Sequence, residues 1–456
     1  MRPPAHGGGF SPRAADAFIC PTPLPCPPVT SRQHPDDTPE NSDDTADDTS
    51  DPSRTSASTP TAQADRVPAP DIARGLLLLG IALANVPYWL TSSDRGLLFK
   101  PLGDGIDSTA NAIVAMVADG RSFPLFALLY GYGMTQILLR ERARDVPWPA
   151  ARGLLVRRNL WIIVFGAVHA LLLFAGDIMG TYGLLGLLLV LLIRASGRVL
   201  AIVGGVAFGF LVVAGSAQGL AGILTQLTGP LDSGVMASPG ATTYLQSMGL
   251  RALEWGATLL AVPFVSLGFL APMTLGIWAA RYRVLENPQP HRRALAVVAG
   301  AGIPISLVGA LPVALVLVGA LGSTIWLDPL LAMLHGGTGA VGAVGYLALI
   351  ALVAARRTPG WLGRRLAALG RISLTGYLLQ SLVFLLVFPS FTLGLGTTTG
   401  AATATLIAVG TWMLSLAVAA TLEWLHRSGP AEWMLRRLLY RGTRRPKTQV
   451  EVGSGA

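Results

Sequence analysis

The chain has 456 residues, of which 52% are hydrophobic and 13% charged, with a mean hydropathy of +0.54 and a formal net charge of +9. Soluble domains carry about 25% charged residues, so composition excludes an ordinary soluble fold. It also weakens a nucleic-acid reading of the basic excess, because the charges lie in short segments between apolar runs, where they set membrane topology.

Residues 1–65 are rich in Pro, Ser, Thr and Asp, with DDTPENSDDTADDTSDPS at the centre. Such a segment buries too little apolar surface to offset its ordering entropy and is expected to be a disordered tail. It contains no apolar core of the signal-peptide kind. Both cysteines, Cys20 and Cys26, lie in it. The membrane domain therefore has no thiolate for a disulfide or a metal, and a C-x5-C spacing fits no common zinc pattern.

From there, apolar runs of helical length recur, each long enough to cross about 30 Å of hydrocarbon. Ten spans are expected, at about 72–90, 123–139, 160–175, 178–193, 199–217, 257–280, 295–320, 330–354, 371–391 and 404–425. Strand-length alternation is absent, which favours an all-α polytopic bundle over a barrel. With the N-terminus inside, 26 of the 30 Lys and Arg from residue 66 onward fall on the cytoplasmic side. The outer segments keep only Arg95, Lys100, Arg121 and Arg251. The expected order is N-in and C-in. A membrane domain then covers 66–427, and a basic amphipathic tail, 428–456, lies on the cytoplasmic leaflet with Trp433, Leu435 and Leu439 facing lipid or protein. Residues 106–118 and 241–254 are expected as interfacial segments. The glycines of span eight, Gly336, Gly337, Gly339, Gly342 and Gly345, are expected to let helix backbones approach closely.

Polar residues inside this frame are the candidate site, since hydrocarbon makes an ionisable side chain expensive. Asp71 and Arg74 share a helical face at the inner end of span one, either as a local ion pair or as a cationic site for a cytosolic anion. Asn85 lies near the outer end of that span. His169 sits about two turns below the outer end of span three, with Asp177 in the following loop and Tyr182 at the start of span four. Asp177 and Tyr182 are placed to tune or orient the imidazole; an N-cap for span four is the plainer role of Asp177. Asp328 with Pro329 reads as N-cap and first residue of span eight, which puts His335 two turns deep. Span nine carries Ser373, Tyr377 and Gln380 or Ser381 on one face, with Arg371 at its cytoplasmic mouth.

Five motifs, in order, carry a resemblance. RVPAPDIARGLLLLGIALANV, DGRSFPLFALLYGYGM, HALLLFAGDIMGTYGLLG, GRISLTGYLLQS and GPAEWMLRRLLY resemble those of the YeiB-like bacterial membrane proteins, a family of unknown function. Pro70 replaces the leucine usual before the opening Asp. That family is distantly similar to transmembrane acyltransferases that acylate sugars and open with D-x-x-R-G followed by a histidine. Here the matching position is Asn85, which cannot act as a general base. The resemblance implies a protein of the bacterial cytoplasmic (inner) membrane. An acyl group would pass from a cytosolic donor, acyl-CoA being the candidate, to an extracytoplasmic glycan or lipid acceptor. Arg74 and Arg371 would meet the donor, His169 would act as base and Asp177 would orient it. Asp71, Asn85, Tyr182, His335, Ser373, Tyr377 and Gln380 would contact substrate. No metal and no nucleic acid enters this reading. The alternative is a transporter or a metabolite- or lipid-binding membrane protein in which the same residues line a passage.

The charge asymmetry predicts that reporters fused after residues 150, 288 and 360 read cytoplasm and those after 325 and 396 read outside. One clear inversion breaks the ten-span order.

Overall fold

The computed structural model describes residues 68–91, 95–228, 236–356 and 359–440, without the side chains of 221–228, 262–265 and 356. The chain divides after Arg66 into two units. The first, with the expected disordered tail and both cysteines, lies outside the described residues, as do residues 441–456 of the basic tail.

The described residues form helices α1 (Pro68–Asn85), α2 (Ile106–Val117), α3 (Ser122–Arg142), α4 (Trp148–Leu172), α5 (Ile178–Leu192), α6 (Gly197–Thr228) and α7 (Tyr244–Val265). These continue with α8 (Leu270–Arg281), α9 (Arg292–Leu317), α10 (Leu327–Arg356), α11 (Trp361–Arg371), α12 (Ser373–Val387), α13 (Ala401–Trp424) and α14 (Pro430–Tyr440). Among them the only strand-like pairing is an isolated bridge between Arg95 and Pro101. Seven helical runs are long and apolar enough to cross a membrane, and eight if α11 and α12, bent by 85° at Ile372, count as one. The chain is an all-α integral membrane protein, and lipid bilayer is its environment.

Two stretches differ from the expected spans. The sixth, 257–280, is split between α7 and α8. Pro272 has no N–H to offer Gly268, and α6 crosses the break so closely that a Cβ on Gly268 would lie 2.6 Å from the Cα of Leu211. The α7 helix instead takes in most of the expected interfacial segment 241–254. α5, at 15 residues, is a short apolar helix, about 22 Å long.

Helix pairs meet backbone to backbone. α3 packs on α8, where a Cβ on Gly131 would sit 2.1 Å from the carbonyl oxygen of Met273, and one on Gly276 2.1 Å from that of Leu128. α10 packs on α9 and α6, and its glycines face the backbones or side chains of Gly120, Ser306, Ile303 and Val212. This is the packing role expected of them.

The four basic residues of the expected outer segments are all buried. Arg95 donates to the carbonyls of Pro87 (2.9 Å) and Leu90. Lys100 pairs with Asp119 at 2.7 Å. Arg121 donates to the carbonyls of Ala115 (2.9 Å), Asp119 (2.5 Å) and Ser306 (2.6 Å). Arg251 donates to the carbonyl of Leu171 and to Ser247 Oγ, each at 2.9 Å. These cations tie loops to helix ends rather than face solvent.

The C-terminal helix α14 docks on α12. Glu432 accepts from the backbone N–H groups of Leu374 (2.7 Å) and Thr375 (3.1 Å) and from Thr375 Oγ1 (2.6 Å). It thereby caps a helix whose own flanking residue, Ile372, has no side chain to do so. Leu439 is buried and Leu435 packs on the core, while Trp433 is exposed with Arg437 over its ring.

Gly276→Ala forces the α3 and α8 backbones apart and is expected to cost about 1–3 kcal/mol, the usual price of overpacking. Gly256→Ala, where an added Cβ meets nothing within 4 Å, is the control. Thermal melting of the two variants in detergent checks the difference.

Candidate active site

α4 ends at Leu172, and the chain turns back on itself at once. The N–H groups of Leu173 (2.7 Å) and Phe174 (3.0 Å) both donate to the carbonyl of His169. This tight ending folds the 173–177 loop inward, so Asp177 descends to the level of the imidazole. His169 Nδ1 lies 2.9 Å from Asp177 Oδ1. The second carboxylate oxygen, Oδ2, accepts the N–H of Gly180 at 2.6 Å and caps α5. Asp177 is thus the N-cap of α5 through one oxygen and a neighbour of the imidazole through the other. The approach depends on Gly166, where a Cβ would lie 2.3 Å from Gly180 N and 2.4 Å from Asp177 Oδ2. Arg251 and Tyr244, from α7, hold the end of α4 through the carbonyls of Leu171 and Leu172.

On the other side of the ring, His169 Nε2 lies 2.8 Å from Ser381 Oγ on α12. A carboxylate only accepts, so Nδ1 carries the proton and Nε2 is left to accept from the Ser381 hydroxyl. The order carboxylate, imidazole, hydroxyl is that of an activated serine nucleophile. The Tyr377 ring, one turn before Ser381, stands 4.8 Å from the imidazole centroid. Gln380 donates to the carbonyl of Leu78 at 3.2 Å and ties α12 to α1 at this level. Trp89, Phe174, Phe384 and Phe388 form a continuous aromatic cluster beside the site. The side chains of His169 and Asp177 are 0% exposed.

The other expected residues lie apart from this centre. Tyr182 donates to the carbonyl of Phe123 at 2.8 Å and packs on Phe126, Tyr130 and Phe269, so it does not orient His169. His335 joins a separate buried cluster, its Nε2 2.9 Å from the carbonyl of Ala115 and 3.3 Å from Arg121 Nη1. α10 begins at Leu327, so Asp328 lies inside the first turn rather than at the N-cap. Its carboxylate turns back to Ser323 Oγ (2.6 Å) and the Thr324 N–H (3.3 Å). Asn85 is buried at the last position of α1. Asp71 and Arg74 form the local ion pair, at 2.9 Å. Arg371 pairs with Glu423, which Arg365 approaches at 3.4 Å. Ser373 opens α12 and is half-buried. Among the described residues no three His, Cys, Asp or Glu side chains gather as a metal site.

Sequence reasoning leaves Ser381 as an alternative to Gln380 on the polar stripe of span nine. The usable signal was its spacing of four from Tyr377. What sequence does not show is that α12 lies against the end of α4.

Residues 279–442 match the family described as protein of unknown function (DUF418). The chain is 26% identical over 416 residues to the uncharacterised protein YxaH of Bacillus subtilis (strain 168), an alignment covering 84% of this chain and 97% of that protein. It is also 30% identical over 128 residues to the uncharacterised protein YeiB of Escherichia coli (strain K12), covering 27% of this chain and 30% of the relative. The chain is thus similar to bacterial proteins that are themselves uncharacterised, YxaH over most of its length and YeiB over about a quarter. The family match spans α12 with Tyr377 and Ser381, whereas His169 and Asp177 lie before it. No solved structure matches.

Asp177→Ala removes a helix cap and the partner of a buried imidazole together. It is expected to lower stability by more than the ~1 kcal/mol of a lost cap alone, and by more than Asp177→Asn, whose amide oxygen still caps α5. Thermal melts of the pair in detergent test the order.

Proposed function

We propose that this is a membrane-bound acyltransferase of the bacterial cytoplasmic membrane, working through Ser381, His169 and Asp177. The observation that carries the reading is the unbroken hydrogen-bonded line from Asp177 Oδ1 through both imidazole nitrogens to Ser381 Oγ. In the first half-reaction Ser381 Oγ attacks the carbonyl carbon of an acyl thioester donor such as acyl-CoA, and its proton passes to His169 Nε2. The carbon–sulfur bond breaks, and the leaving thiolate takes the proton from the imidazolium. In the second, a hydroxyl of a glycan or lipid acceptor gives its proton to Nε2 and attacks the acyl-serine ester, and Ser381 Oγ recovers a proton as it leaves. Asp177 holds the tautomer and stabilises the imidazolium in both steps. Arg74 and Arg371, on the expected inner side, would meet an anionic donor, which must compete with their carboxylate partners Asp71 and Glu423. Substrate access requires the enclosed centre to open.

A second reading is favoured by one specific observation, the complete enclosure of His169 and Asp177. A sealed imidazole–carboxylate pair suits a proton-coupled transporter, in which protonation exchanges one set of partners for another.

Purified protein with labelled acyl-CoA separates the two. Acyl transfer predicts an alkali-labile ester on Ser381, detected by mass spectrometry. Ser381→Ala should lose it. His169→Gln should lower turnover roughly a hundred- to ten-thousandfold, the range of a general base, and Asp177→Asn less. Proton-coupled uptake into vesicles, with no ester on the wild type, would replace this reading by the transporter.

A further inference from the structure

Between α6, α8 and α10 lies a cleft of ≈ 530 Å³. It is lined by small residues of three helices, among them Gly204, Ala271 and Ala340, and by Phe208, Leu275 and Trp278. Thr274 brings a hydroxyl into this lining, and that hydroxyl is already donated to the carbonyl of Ala271 at 2.8 Å. The cleft therefore offers an occupant mainly apolar contact. Along α6 it runs from Gly197 to Phe208, about 16 Å at 1.5 Å per residue. That length suits an extended hydrocarbon chain.

One end of the cleft is basic. Arg198 follows Gly197 directly and is exposed. Arg281, one turn after Trp278, is held at the same end because its guanidinium donates to the carbonyls of Ile193 and Ala195, each at 2.8 Å, in the turn that leads into α6. Trp278 is 43% exposed and brings an indole to this end. Apolar length, an amphipathic aromatic and cations at one end match a lipid with a negative headgroup. The same end is the expected cytoplasmic side, where anionic lipids attract basic residues.

We propose that the α6–α8–α10 cleft is a binding site for one acyl chain of an anionic phospholipid, with the headgroup phosphate at Arg198 and Arg281. The site is independent of the Ser381 centre, and no chemistry occurs in it. A neutral lipid fits the apolar cleft equally well but gains nothing from its basic end, so headgroup charge is the discriminating variable.

Native mass spectrometry of the full chain, released from nanodiscs holding equal amounts of phosphatidylglycerol and phosphatidylcholine, tests the assignment. The wild type should retain one phosphatidylglycerol in preference to phosphatidylcholine. Arg198→Gln should reduce that preference about fivefold, the effect of one arginine near an anionic headgroup. Ala201→Phe, at an exposed lining position of α6, should abolish retention while leaving the melting temperature unchanged. Equal retention of the two lipids by the wild type, or undiminished retention by a folded Ala201→Phe, overturns the proposal. Should Ala201→Phe fail to fold, a chain-length series on the wild type takes its place. Retention should then rise with acyl length until the cleft is filled, and indifference to length overturns the proposal.

Discussion

A polar group buried in an apolar bundle must find its partners within the protein, because lipid supplies none. Asp177 meets this constraint with both of its oxygens, one on the imidazole of His169 and the other on the first turn of α5. Remove the carboxylate and two structures lose their anchor together, the orientation of a buried ring and the start of a helix. The serine that completes the line comes from α12, far along the chain, so the centre also joins distant stretches of the sequence.

The same constraint explains the basic residues on the expected outer side. Four of them are buried, and three donate chiefly to backbone carbonyls at helix ends or loops, while the fourth pairs with an aspartate. A carbonyl left over at a helix end needs a donor, and a guanidinium supplies several in a fixed fork. The basic residues of the expected inner segments behave differently. Several are exposed; some pair with side chains, as Arg371 does with Glu423, and Arg281 donates to the carbonyls of Ile193 and Ala195.

Close backbone approach is the other recurring device. Where helices touch through Gly131 and Gly276, dispersion contacts and packing replace the hydrophobic drive that is missing in lipid. The 85° bend between α11 and α12 is made possible in a similar way. The broken end of α12 is satisfied from another element, by Glu432 of α14, so the bend leaves no orphaned donors at Leu374 and Thr375. That cap stands two turns before Ser381 on the same helix and fixes the register of the helix that carries it.

Fold class, the positions of most apolar helices, the ion pair of Asp71 with Arg74 as one of two readings, and His169 and Asp177 as neighbouring candidates were legible in the sequence alone. Each rests on a local rule: apolar length, charge asymmetry, i to i+3 spacing, or the cost of an imidazole in hydrocarbon. The split of the sixth span, the bend at Ile372 and the docking of α14 were not, because each is decided by a neighbour distant in the chain. Ser381 is the clearest case. Its stripe on span nine was visible, but a stripe has no address. Only the packing of α12 against the end of α4 decides that Ser381, and neither Tyr182 nor His335, meets the imidazole, because hydrogen bonds select partners at about 3 Å and sequence carries no distance between helices.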